Sequence, residues 1–149
     1  MSSNPVYSFF ATPGSLAPFF LRMALAAVFF YHGMQKAFGW FGGDGWNGTI
    51  EAWTSAESLG MPYLIVAVMI VSELGIALSL FLGFLTRLGG LGVVVIMLGA
   101  LFYIHGGSSF EAIEYPVLLL ASGLALVFIG GGNFSIDRGI SSNLLPVVG

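Results

Sequence analysis

The chain has 149 residues, of which 57% are hydrophobic and only 7% charged, with a net charge of -3 and a mean hydropathy of +0.96. A surface this poor in charge excludes an ordinary water-soluble domain and points to lipid as the solvent. There is no cysteine, which excludes disulfides, thiolate metal sites, iron-sulfur clusters and thiol relays; the lack of a basic patch argues against nucleic acid as a partner.

The first fifteen residues contain no Lys or Arg and no apolar core with a small-residue cleavage site. A cleaved signal peptide is therefore not expected, and the first span is expected to act as its own insertion signal. That span runs from about Leu16 to Phe38, opening near Pro13 and Pro18 and closing at Gly39, and it carries Arg22, His32, Gln35 and Lys36. Proline suits a first helical turn and glycine a C-terminal cap. The segment from Trp40 to Met61 is the one long connection; its three tryptophans, with Thr49 as an N-cap, predict a short helix lying at the membrane interface.

The second span is expected from Pro62 to Leu85, the third from Arg87 to His105 and the fourth from Glu111 to Ile129. Tight links around Thr86 and around Gly106 to Ser108 require antiparallel neighbours. Each span has the roughly 20 apolar residues that cross a bilayer. The expected fold is thus all-α, a single integral-membrane four-helix bundle occupying residues 1–149. Arg22, Arg87 and Arg138 fall on the side shared by both termini, with Lys36 alone opposite. By the positive-inside rule both termini are cytoplasmic, and a bacterial inner membrane is the expected location.

Ser72, Gly75, Ser79 and Gly83 fall within roughly an 80° arc of span two, a small-residue stripe that predicts a helix-packing face. Gly89, Gly92 and Gly99 offer a less regular counterpart in span three. The glycine run Gly130 to Gly132 lacks the Lys and the strand-to-helix context of a phosphate loop, and is read as the end of span four. Phe134, Ile136, Leu144 and Leu145 in the tail can lie along the cytoplasmic interface.

Two polar groups carry the chemistry. Glu73 lies deep in span two, about 16 Å from its outer end, and an isolated charge there costs several kcal/mol. Arg22 is the expected partner, with Lys36 or water as substitutes. The pair is either a structural ion pair fixing the register of spans one and two, or a proton-accepting carboxylate beside a cavity. Glu73 and Arg22 are accordingly the only catalytic candidates. Nearer the outer ends, His32, Gln35, Lys36, His105, Glu114 and Tyr115 form a second group, able to donate to a quinone carbonyl or to move protons, or else simply to anchor the interface. Paired histidines also suit a bis-histidine haem, which the residues disfavour because no further haem motif is present. A metal site is not expected, since no ligand spacing is fixed locally.

These residues together resemble the DoxX family of small bacterial four-helix membrane proteins. The likeness lies in Arg22 followed by His32-Gly33 and Lys36, in Leu59-Gly60-Met61-Pro62 before span two, in Glu73-Leu74-Gly75, in the Gly83 to Arg87 link, and in Glu114-Tyr115-Pro116. The resemblance implies an accessory membrane subunit of a respiratory or other quinone-linked electron-transfer complex, contributing helix packing and assembly alongside other membrane subunits and lipid. Its alternatives are a quinone-reactive subunit of the thiosulfate-quinone oxidoreductase type and, more remotely, a small transporter or proton path. Independent enzymatic activity is not expected, and quinone is the one cofactor implied.

Overall fold

The computed structural model describes residues 10–12, 14–104, 107 and 109–144, and for Leu144 the backbone alone. Its helices are α1 (Ala17–Phe38), α2 (Gly45–Thr54), α3 (Tyr63–Leu82), α4 (Thr86–Gly99), which continues as a π-helical turn over Ala100–Ile104, α5 (Phe110–Ile129) and α6 (Ile136–Leu144). Helices α1, α3, α4 with its π turn, and α5 are long and apolar enough to cross a membrane. Their boundaries lie within one residue of the sequence expectation, except that α3 ends at Leu82 rather than Leu85, that the last turn of span three departs from α geometry, and that His105 lies outside the described residues.

The four spans form two tight antiparallel pairs, α1 with α3 and α4 with α5, joined mainly through α3 and α4. Leu25, Ala26, Phe29, Ile76, Ala77, Leu80, Val93, Leu119 and Leu126 make the core. Large apolar side chains such as Phe20, Leu64, Val71, Phe81, Phe102 and Phe128 point outward, while Arg22 and Glu73 are buried. A charge-lined inside under an apolar skin is the arrangement that lipid demands, because only the interior can satisfy polar groups.

Backbones touch where glycines permit it. A Cβ on Gly90 would stand 2.8 Å from the Gly123 carbonyl oxygen, and one on Gly123 would stand 2.9 Å from that of Gly90. Gly33 does the same for α1 and α3, where a Cβ would come 2.8 Å from Leu74 Cδ2. Gly89 and Gly92 lie against Ser79 and Ile76 of α3, whereas nothing stands within 4 Å of Gly99.

The stripe on α3 is met in part: Ser79 faces Gly89 of α4, but Gly75 packs against nothing among the described residues. Gly75 is exposed, with nothing within 4 Å of the space a Cβ would take. Ser72 donates to Met69 O in its own helix (2.8 Å) and Ser79 to Phe84 O (2.7 Å), while Gly83 is the left-handed cap at φ 66°. The buried arc of α3 is instead Val66, Ile70, Glu73, Ile76, Ala77 and Leu80, and Gly75 lies outside it, on the outward side. Small residues sharing an arc reveal a face without revealing what it meets. Thr49 is likewise corrected: it is inside α2, buried, and its hydroxyl donates to Lys36 O at 3.3 Å, which ties α2 to the end of α1.

The end of the bundle holding the start of α1 is organised around Arg22, which is 0% exposed. Its Nε donates to Gly131 O (2.9 Å), Nη1 to Leu80 O (2.8 Å) and Phe81 O (3.4 Å), and Nη2 to Phe134 O (3.0 Å) and Asn133 O (3.5 Å). The last carbonyls of a helix have no partner within it and carry the negative end of the dipole. Because α1 is antiparallel to α3, a guanidinium near its start meets such carbonyls at the close of α3, and its planar fork reaches those after α5 as well. The Gly130 to Gly132 run therefore does more than end a span: Gly131 supplies an acceptor to Arg22.

Opposite polarity is met in the same place. Asp137, in the first turn of α6, accepts from Leu85 N and Thr86 N at 2.8 Å each, capping the start of α4 with both carboxylate oxygens, while its own N–H reaches Gly83 O at 3.0 Å. Ser135 caps α6 by accepting from Arg138 N at 3.2 Å. Phe134 and Ile136 are exposed as the tail reading requires, but Asp137 is only 4% exposed, and Leu145 lies outside the described residues.

Two outcomes follow. Asp137→Ala is expected to lower the stability of the detergent-solubilised protein by about 1–3 kcal/mol, read from its thermal unfolding, because a buried and a part-buried N–H group lose their acceptor; an unchanged melt would remove Asp137 from this role. The absence of native cysteine allows a topology test: Ser58→Cys is expected to react with a membrane-impermeant maleimide on intact cells, and Ser142→Cys only after lysis. The reverse pattern would invert the expected orientation.

Candidate functional site

The register of α1 against α3 decides what Glu73 meets. Gly33 lies beside Leu74, with Leu74 N 3.4 Å from its Cβ position, so Glu73 stands at the level of Gly33. Lys36 is about one turn above and Arg22 about 16 Å below along the same helix. Helical side chains lean toward their own N-terminus. In an antiparallel pair, Lys36 thus leans down and Glu73 up, and Lys36 Nζ donates to Glu73 Oε1 in a close ion pair. The expected Arg22–Glu73 pair does not form; of the substitutes, Lys36 takes the place. A depth counted from the span's outer end hid this, because it left out the offset between the helices.

The pair is well buried on the acid side, with the Glu73 side chain 4% exposed and that of Lys36 20%. Lys36 Nζ also stands 5.2 Å from the centroid of the Trp53 ring, within reach of a cation–π attraction. Trp53 arrives on α2, and the loop before it folds closely over α1: a Cβ on Gly43 would overlap the Gln35 backbone. Glu73 Oε2 is buried and has no hydrogen-bond partner.

Two cavities meet at this pair. One of about 160 Å³ is lined by Phe29, His32, Lys36, Glu73, Tyr115 and Pro116, among others. The second, about 320 Å³, lies toward Trp53, Met61, Ser72 and Tyr103. Lys36, Glu73, Met97 and Ala100 belong to both walls. Ala100 opens the π turn, a local widening of the helix that frequently marks functional positions.

Of the residues singled out from sequence, His32, Lys36, Glu73 and Tyr115 converge on the smaller cavity. His32 is half-buried and meets Tyr31 edge to face at 5.4 Å; Tyr115 is 48% exposed and stands at the rim. Gln35 turns the other way, donating to Phe41 O at 3.4 Å. Glu114 is exposed and lines neither cavity. Arg22 belongs to the opposite end of the bundle, and His105 lies outside the described residues. Among the described residues no cluster of His, Asp or Glu could hold a metal ion. Trp53, Met97, Ala100 and Pro116 were not expected at the site; only the proline inside an apolar run marks itself in sequence.

Removing one member of a buried pair leaves the other uncompensated, at about 3 kcal/mol or more. Lys36→Met is therefore expected to depress the melting of the purified protein strongly, and Lys36→Met with Glu73→Leu to recover most of the loss. If the double replacement melted as low as the single one, the ion pair would not be the cause.

A family model described as DoxX matches residues 17–106. The match runs from the start of α1 through the π turn and includes Arg22, His32, Lys36 and Glu73, while α5 with Tyr115 and the tail with Asp137 lie beyond it. No curated protein and no solved structure matches the chain. With that match covering more than half of its length, and with four apolar membrane-crossing helices, the chain belongs to the DoxX family and is a multi-pass membrane protein.

Proposed function

We propose that this protein is an accessory membrane subunit of a quinone-linked electron-transfer complex in the bacterial inner membrane, and that its own contribution is a site for the quinone head group at the Lys36–Glu73 pair. The observation carrying this reading is a buried ion pair set in the shared wall of two cavities, with His32 and Tyr115 beside it. An ammonium has three donors and Lys36 commits one to Glu73, so others are free to bind a ring oxygen. The imidazole of His32 can donate or accept a hydrogen bond at a ring oxygen, and a carboxylate such as Glu73 is a group that can take a proton from a ligand. Since the chain lacks cysteine, electrons would come from a centre carried by another subunit.

The exposed face of α3 at Gly75 supports the subunit part of this reading, because a partner helix approaches closely where no side chain intervenes. Mild solubilisation from native membranes is expected to recover the protein with at least one stoichiometric membrane partner. In that complex, Glu73→Gln and His32→Ala should each reduce quinone-dependent turnover by about 100-fold if they manage protons. Turnover unchanged in both variants would sink the quinone site, and a protein isolated alone would sink the subunit assignment.

A further inference from the structure

We infer that the larger cavity, between α3 and α4, takes the apolar tail of the ligand whose head lies at the Lys36–Glu73 pair, and that this ligand arrives sideways from the bilayer. This rests on the quinone-site reading above and adds where the tail lies and by which side it enters. The smaller cavity, about 160 Å³, has room for one aromatic ring, since a dry cavity of about 150 Å³ accepts benzene. A ring that fills it leaves no space for a long tail as well. The tail must leave either past Tyr115 or through the wall shared with the larger cavity. The first way has a phenol at its rim, a group that suits a wet boundary better than a hydrocarbon chain. The shared wall is Lys36, Glu73, Met97 and Ala100. Ala100 is small and Met97 is unbranched and adaptable, so a route past these two leaves the ion pair intact.

The larger cavity has the lining, the position and the width for such a chain. Ile65, Val68 and Met69 of α3 face Val95, Gly99 and Tyr103 across it, at the seam between the two tight helix pairs. Ile65, Val68, Val95 and Tyr103 are each half or more exposed, so the cavity opens toward lipid. Val95 and Gly99 stand four residues apart on one row of α4. Nothing lies within 4 Å of the place a Cβ on Gly99 would take, and the missing side chain keeps the slot clear. From Val95 to Ile104 the wall runs about 13 Å. Over that length a volume of about 320 Å³ gives a mean section of about 25 Å², enough for one extended chain and far below that of a helix about 10 Å across. A third cavity, about 550 Å³, lies on the α1–α3 seam between Met23, Phe30, Leu74 and Phe81, and it shares no residue with the other two. It is apolar too, but it gives a tail no connection to the head.

The test uses the full chain purified in detergent and three benzoquinone probes: one with a decyl tail, one with a methyl group in its place, and a decyl-tailed one carrying a diazirine at the end of the tail. Binding of the first two is followed by quenching of tryptophan fluorescence, corrected for partition into protein-free micelles. Photolysis of the third, with labelled residues mapped by mass spectrometry, is expected to mark residues 61–73 and 95–104, and an excess of the decyl probe to prevent it. Gly99→Phe puts a ring into the slot. It is expected to weaken the decyl probe about tenfold or more, the cost of forcing a chain into filled space, and to leave the methyl probe within about twofold. Gly75→Phe, on the outward side of α3 and in neither cavity wall, is expected to change neither. Labelling mainly at residues 23–30 and 74–81, or labelling that excess decyl probe does not displace, overturns the tail site, since the chain then lies where any lipid would. A decyl probe unaffected by Gly99→Phe does the same. Equal weakening of both probes places the head itself in the larger cavity and overturns the division between the two. All of these leave the quinone site standing, whereas binding of neither probe above micelle partition overturns site and tail together. If Gly99→Phe fails to fold, labelling of the unaltered protein decides.

Discussion

The contact of α1 with α3 at Gly33 sets the register on which the rest of the polar interior depends. Because the Gly33 position lies against Leu74, Lys36 is within reach of Glu73 and Arg22 is not. A shift of α1 by one turn, about 5.4 Å, would strand the carboxylate in a medium where an unpaired charge costs several kcal/mol. Glycine eases this approach, since a Cβ would press on the end of the Leu74 side chain and oblige it to shift. The ion pair in turn brings together the walls of both cavities and, through Trp53, engages the helix that covers this end of the bundle.

The opposite end solves a different problem. There the chain reverses direction after α3 and again after α5, exposing helix-end carbonyls and N–H groups that lipid cannot satisfy. Arg22 answers the carbonyls and Asp137 answers the N–H groups at the start of α4. One residue of each charge, from the first span and from the tail, thereby joins α1, α3, α4 and α6. Gly83 adopts its left-handed turn between them, packed so tightly against Arg22 and Ser135 that no side chain would fit. The two layers differ: one end satisfies its helix ends through Arg22 and Asp137, while the other holds a buried ion pair whose residues line two cavities.

Much of this was legible in the sequence. The spans follow from apolar length, and ends such as Gly39 and Pro62 from their caps, because hydropathy and caps act locally, whereas Gly83 was read as a packing residue and proved to be a cap. Arg22, Glu73, Lys36 and His32 identify themselves as the polar residues of an otherwise apolar interior. Pairings among them were not legible. The helical projection that groups Arg22 with Lys36 on one face of α1 says nothing about height relative to α3, and a side chain on the right face can still be three turns away. Gly75 shows the same limit, since its arc was readable and its neighbour was not. Asp137 was missed for the reason that a short polar tail resembles any other, and only folding back under α4 turns its carboxylate into a cap.

By itself the sequence determined a four-span membrane bundle, the residues that must be shielded from lipid, and the DoxX resemblance, since each of these depends on composition, local periodicity or short motifs. Tertiary structure alone decided that Lys36 rather than Arg22 neutralises Glu73, that Tyr115 joins His32 at the cavity while Gln35 and Glu114 turn away, and that Asp137 closes the other end. The physical reason is that side-chain pairing depends on the relative height and rotation of helices. Those are fixed by backbone contacts at Gly33, Gly90 and Gly123 between segments distant in the chain.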